Sequence, residues 1–363
     1  MFSKITAIGS LFFLQSLGLC AQTKDTWIAF WNPDTTLVGY KDQQGNLKIQ
    51  PQFSGATAAA YFDEIMTVSE EQSGKLQNYY LTKEGRRIGY DSLYVFDNTP
   101  DCENEGFIRF RDRATGFAGL YNRKGDIVIP AIYNELSKVR NGLVVVLKGA
   151  QKQQEAGEEH FNYTGGQTML IDTSNKVILD SFSAEENLDL YSMQVSPKPS
   201  AVSSRQNFRG KDGRTYSFIN FDLEFKSWLK TSLLNNLTKA AIDKAAYNEI
   251  SYWNEAAGWM TVTGKIFVER NYLLLKNKLS LLNGKSVDYD VVTDGLNPFI
   301  FNTPQYQKYF NNCGESIDWK YPMKITVISH NDLSGLVQDH FEFLRTEQGY
   351  KLISVTIPNG ELK

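Results

Sequence analysis

The residue types that carry most enzyme chemistry are scarce in this chain, which has three histidines and three cysteines among 363 residues. A nucleophile–histidine–acid arrangement needs a histidine beside a serine or cysteine. His160 falls in the polar stretch AQKQQEAGEEHFNYTGGQ (150–167), which reads as an exposed loop. That leaves His330 and His340 to weigh. The first ends one predicted strand and the second sits within the next. Asp339 adjoins His340, and strand alternation sends the two side chains to opposite faces. Asp339 shares its face with Val337, Phe341 and Phe343. Buried there, a carboxylate would have a raised pKa and could act as acid or base. We read this end of the strand as exposed and Asp339 as solvated. Asp339 is thus the single catalytic candidate, and no catalytic residue is assigned.

Other chemistry is weaker still. His330 and His340 have no third and fourth ligand at metal-binding spacing, so no metal and no cofactor is expected. Glu185, Glu186 and Asp189 form an acidic cluster, but neighbours on one polar loop do not face each other across a cleft; they read as a solvated face. No G-x-S-x-G elbow, P-loop or dinucleotide glycine fingerprint is present. Thr164-Gly-Gly166 lacks the strand-to-helix setting that phosphate binding requires. The tyrosines at 40, 79, 80, 90, 94, 121 and 133 could stack on sugars, but most read as packing between strands. Asn162-Tyr-Thr164 and Asn236-Leu-Thr238 are glycosylation sequons.

Composition sets the frame for these groups. A 42% hydrophobic content is ample for buried cores, and the length suits two domains. A net charge of −3 gives no basic field for nucleic acid. At the N-terminus, Lys4 precedes the apolar run ITAIGSLFFLQSLGL (5–19), and Ala21 precedes polar residues. This reads as a signal peptide, residues 1–21, cleaved after Ala21. Lipidation at Cys20 would need a small residue before it, and Leu19 stands there. The mature chain then keeps Cys102 and Cys313, in different predicted domains. An interdomain disulfide and two buried free thiols are both open, and we take the free thiols. No later segment is long and apolar enough to span a bilayer.

Residues 22–220 carry a repeat. Gly45, Gly85 and Gly125 stand forty residues apart, each after a polar run: Asp42-Gln-Gln, Thr82-Lys-Glu, Asn122-Arg-Lys. Six residues earlier stand Gly39, Tyr79 and Gly119. Asp172-Thr-Ser-Asn175 is a fourth copy, and Lys211-Asp-Gly213 a candidate fifth. Glycine and asparagine tolerate positive φ, so this position predicts the corner of a β-hairpin. LKI (47–49), DIVI (126–129) and KVIL (176–179) follow the corners as strands, with Pro51 and Pro130 ending two of them. EIMTV (64–68), GFIRF (106–110), GLVVV (142–146) and LYSMQV (190–195) form a second strand type. One such module buries little alone, so the copies must stack.

With Gly39/Gly45, Gly119/Gly125 and IVIPAIY (127–133) on the page, the chain resembles the WG-repeat (KWG-repeat) family of exported bacterial proteins. Val38, Tyr80 and Ala118 stand near the place of the family's tryptophan. The clear repeats cover 37–180. The resemblance implies a β-repeat scaffold and brings no catalytic residue.

From residue 221 to 363 the text changes to α+β. SWLKTSLLNNLTKAAIDKAAYNEI (227–250) reads as helix, and WMTV (259–262), KIFV (265–268) and YLLLK (272–276) as strands. TPQYQKYFNN (303–312) reads as a short helix. KITVISH (324–330), LVQDHFEFLR (336–345) and YKLISVTI (350–357) form an antiparallel meander. The ending HFEFLRTEQGYKLISV resembles the nuclear transport factor 2-like cone, a curved sheet wrapped on helices that often leaves a pocket.

The expectation is a non-enzymatic exported binding or scaffold protein of the bacterial envelope, whose repeat surface meets a protein or glycan. The alternative is a small-ligand-binding or enzymatic C-terminal domain displayed on a repeat stalk.

Overall fold

The computed structural model describes residues 25–154, 161–182, 187–283, 289–332, 335–358 and 362–363. The segment 1–21 read as a signal peptide, His160, Glu185 and Glu186 lie outside them. The first half is all β, and the second mixes helices with one six-stranded sheet.

Five three-stranded modules make up the first half. They are Trp27–Trp31, Leu37–Lys41 and Leu47–Ser54; Ile65–Gln72, Lys75–Thr82 and Arg87–Ile88; Phe107–Arg111, Ala118–Asn122 and Ile127–Tyr133; Leu143–Lys148, Gln167–Asp172 and Val177–Leu179; and Leu188–Ser196, Arg205–Arg209 and Thr215–Asn220. In the first four the middle strand pairs with both neighbours. In the fifth the third strand is central, so this copy is rewired rather than merely degenerate.

The hairpin corners fall where the spacing predicts. Gly45, Gly85, Gly125, Asn175 and Gly213 all have positive φ. The amide of each donates to the carbonyl three residues before it. Asp42, Asn122 and Asp172 each accept two backbone amides through Oδ1, which ties the turn to its own first side chain.

The earlier glycine has a different purpose. Opposite Gly39 the third strand bulges, because Val38 pairs with Phe53 while Tyr40 pairs with Ile49. A Cβ at Gly39 would stand 2.5 Å from the Ile49 carbonyl and 2.6 Å from the Pro51 nitrogen. Gly119 repeats this against Ile129 and Phe110. Pro51 and Pro130 therefore do not end their strands as the sequence reading has it. They sit in the bulges, where a missing N–H breaks no ladder bond.

The modules share their cores. Tyr40, Phe53, Val68 and Tyr79 lie between the first and second. Ile65, Tyr80, Ile108 and Tyr121 join the second to the third. Leu120, Ile129, Val144 and Met169 join the third to the fourth, and Leu143, Leu170, Leu188 and Phe218 the fourth to the fifth. Val38, Tyr80 and Ala118, near the absent tryptophan, are buried in these seams. So are all the repeat tyrosines named above except Tyr90, which is half exposed.

The second half begins without a linker. Asn220, the last residue of the array, caps helix α1 (Phe221–Trp228). Helix α2 (Lys239–Ala245) and helix α3 (Gly264–Ser280) start on Thr238 and Thr263 caps. The sheet order is Gly258–Thr263, Ala246–Asn254, Gly349–Thr356, Gly335–Thr346, Met323–Asp332, Tyr289–Asp294. The helical reading of 227–250 thus stops at Ala245, and 246–250 is strand. Pairing in parallel with the last strand of the chain overrides local helix propensity there. The strands read at 265–268 and 272–276 are instead α3. Phe267, Val268, Asn271, Leu275 and Leu279 form its buried stripe. The C-terminal meander is as read. Residues 303–312 give a short 3-10 helix, Pro304–Tyr309.

Phe225, Leu229, Ile242, Phe267, Leu275, Phe341 and Val355 fill the space between the helices and the sheet. On the other sheet face Phe301, Tyr306 and Tyr309 pack on Leu344 and Ile353. Among the described residues no helix is long and apolar enough to cross a membrane.

Candidate binding groove

Between the second and third modules a small hairpin, Val95–Phe96 with Thr99–Pro100, leaves the array. Its corner residues Asp97 and Asn98 both have positive φ, the geometry of a tight primed turn. The turn lifts Phe96 into solvent, where it is 75% exposed. Water contact on that scale is unfavourable for a phenyl ring unless something else covers it.

A cavity lies on each side of Phe96. One, of about 790 Å³, is lined by Tyr94, Asp101, Arg109, Lys138, Arg140 and Glu315 among others. The other, of about 770 Å³, is lined by Arg111, Phe117, Glu135, Lys152, Phe161 and Tyr163 among others. Phe96, Asp97 and Glu135 line both, so the two form one groove divided by a ridge. Phe161 and Tyr163 come from the ribbon Gln151–Gln154/Phe161–Thr164, which is part of the polar insert. The reading of that insert as an exposed surface element holds for its described residues.

The floor of the groove is ionic, and the Asp101 carboxylate at its centre is engaged through both oxygens. Asp101 is buried; one oxygen meets the Arg109 guanidinium at 2.5 Å and the Lys138 amine at 3.4 Å, and the other accepts the Arg109 amide. Burial alone would push the Asp101 carboxyl up, but the Arg109 and Lys138 charges outweigh it and hold it below the ordinary carboxylate value. Burial likewise depresses Arg109, and Asp101 more than reverses the effect. Arg109 and Arg111 both lie over the Tyr94 ring, and the Tyr94 hydroxyl donates to Glu135. These charges arrive through alternation: Arg109 and Arg111 face one side of their strand while Ile108 and Phe110 enter the seam. Such a floor can orient a ligand through hydrogen bonds. Among the described residues that line it there is no histidine, and no carboxylate stands beside a nucleophile in a relay.

The groove is braced from the second half. Lys138 bonds Glu315 at 2.9 Å, and Arg140 and Lys138 lie over the Trp319 ring. Cys102 and Cys313 are joined in a disulfide across 211 residues of chain, so the two free thiols of the sequence reading are replaced by the interdomain bridge. Cys313 rides on a turn that the repeat analysis missed. Asn311 accepts the amides of Cys313 and Glu315 through Oδ1, and Gly314, at φ +82°, donates to the Asn311 carbonyl. This is the repeat corner again, Asn-Asn-Cys-Gly, outside the array. Asn312 then donates to Asp63, and its carbonyl accepts the Tyr61 amide.

Asp339 is fully buried, not solvated. The sheet places it on the helix-covered face beside Val337 and Phe341, as alternation requires, and Lys278 of α3 reaches over to bond it at 2.7 Å. His330 stands 3.8 Å away, while His340 is on the opposite face, its pKa lowered by burial. Asp189 is also buried rather than a solvated acid, and pairs with Arg345 of the terminal meander at 3.0 Å. Both corrections have one cause: a cationic side chain from an element distant in sequence neutralises the carboxylate. Among the described residues no group of three His, Cys, Asp or Glu could hold a metal ion.

A family model described as WG containing repeat matches residues 119–150, from Gly119 of the third module through the first strand of the fourth. No curated protein and no solved structure matches the chain.

Proposed function

We propose that this is a non-enzymatic exported binding or scaffold protein of the bacterial envelope, and that its repeat array meets a protein or glycan in the groove around Phe96. The observation that carries the reading is that ridge: an exposed phenyl ring between two cavities, above a floor of paired charges, on a braced scaffold. Aromatic faces and fixed polar groups suit either a sugar ring or an extended peptide. The disulfide supports export, because such bonds persist in oxidising compartments. The leader-like residues 1–21 and the repeat resemblance agree with it. The cone-like reading of the second half adds a brace for the array.

The test is retention of envelope proteins and glycans from the native host by the immobilised mature chain. Phe96→Ala should lose the retained species with an unchanged unfolding curve. Equal retention by Phe96→Ala would move the site elsewhere.

A second reading rests on the helix-covered face of the sheet. Asp339 Oδ1 and Thr326 Oγ1 are buried without a hydrogen-bond partner, and a small polar ligand would satisfy them. Turnover of a metabolite that disappears in Asp339→Asn would favour this enzymatic or ligand-binding alternative over the first.

A further inference from the structure

Among the described residues, the edges of the main sheets are guarded except at one strand. An unpaired edge presents free N–H and C=O groups and pairs readily with another strand, so proteins blunt their edges with charge, proline or shortness. In the array the outer strands Phe107–Arg111, Leu188–Ser196 and Arg205–Arg209 carry charged residues, and Ile127–Tyr133 carries Pro130. The other outer strands of its main sheets, Tyr61–Phe62, Arg87–Ile88, Glu135–Leu136 and Val177–Leu179, are two or three residues long. In the second half, the edge Tyr289–Asp294 carries Asp290 and Asp294. The opposite edge of that same sheet, Gly258–Thr263, reads GWMTVT. It has no charge and no proline, and it pairs on one side only, with Ala246–Asn254.

Its surroundings are apolar as well. Trp259 and Trp253 pair across the two strands edge to face, with centroids 5.8 Å apart, and are 47% and 37% exposed. Met260 is 37% exposed on the other face, and Ile266 of α3, 44% exposed, follows just beyond the strand. β-Branched and aromatic residues on a free edge favour addition of a further strand.

We propose that the Gly258–Thr263 edge is an interaction surface and that its occupant is a second copy of this chain, paired antiparallel through the same strand. Two features choose that occupant. An antiparallel pair of identical strands needs only a two-fold axis, which is the commonest oligomer symmetry. The strand is also uncharged, so two copies meet without repulsion, whereas the Asp290/Asp294 edge would repel its own copy. An axis through Thr261 sets Trp259 of each copy opposite Thr263 of the other and keeps like faces together.

The test is light scattering on the full mature chain across a concentration series. The wild type should move from monomer to dimer. Thr261→Lys should shift that transition at least tenfold higher, and Val292→Lys on the opposite edge should leave it in place. Thr261→Cys, oxidised mildly, should form a covalent dimer, which reads the register even if the lysine variant folds poorly. A wild type that stays monomeric, a dimer indifferent to Thr261→Lys, or capture of a foreign strand by a monomeric wild type would each overturn the proposal.

Discussion

Asp101 and Asp339 are both carboxylates removed from water, one in each half of the molecule. Asp101 has both oxygens engaged, by a guanidinium, an amine and a backbone amide. Asp339 has one oxygen on Lys278 and the other without a partner. Around Asp101 the cations come from the strand Phe107–Arg111 and from the connection after Glu135–Leu136, and are themselves nearly buried. Around Asp339 the lysine reaches in from a helix and keeps part of its side chain in solvent. Burial alone therefore does not assign a role. A closed ionic set is a clamp, because every member depends on the others; an open one tolerates change.

The sharpest way to break this comparison is Asp101→Asn. It strands the Arg109 charge and leaves Lys138 with Glu315 alone, and the expected loss is about 3–5 kcal/mol in denaturant unfolding. A loss below about 1 kcal/mol would remove the clamp. The same group sets an acid limit. Its folded pKa is depressed below the ordinary 3.8, so its contribution is present above that value. It is lost as pH falls through the lower folded value, and Asp101→Asn should flatten that part of the stability–pH curve.

Opening the bridge comes next. Cys102→Ser with Cys313→Ser should cost about 2–4 kcal/mol, read as a lower melting temperature, with the array retaining its β circular dichroism. Gly119→Ala should cost about 1–3 kcal/mol, since the added carbon would stand 2.6 Å from Phe110 and 2.7 Å from the Ile129 carbonyl. Asp339→Asn is the smallest, about 1 kcal/mol or less, because the amide oxygen still accepts from Lys278. If it matches Asp101→Asn, the distinction between the two sites fails.

The legible parts of the fold are those written locally. Gly45, Gly85 and Gly125 announce their turns because positive φ restricts the residue type. The C-terminal meander announces itself by alternation. Helix α3 was hidden, since KIFV and YLLLK are each short apolar runs, and only the Thr263 cap and the spacing of Phe267, Asn271, Leu275 and Leu279 mark a helix. The groove was less legible. RFR at 109–111 shows two arginines on one strand face, which hints at a polar floor, but Asp101 and Lys138 join them only through stacking. The Cys102–Cys313 bridge stood as one of two open readings, and NNCGE at 311–315, which spells the repeat corner, could have tipped the choice towards it.

The bridge also imposes an order of events. A ribosome adding about 5–20 residues per second needs on the order of 10–40 s to lengthen the chain from Cys102 to Cys313. For that interval the first sulfur exists without its mate. The late cysteine arrives on a corner shaped by its own Asn311, ready for docking rather than in need of induction. Pairing of the early sulfur with another thiol in that interval would leave the two halves unlatched.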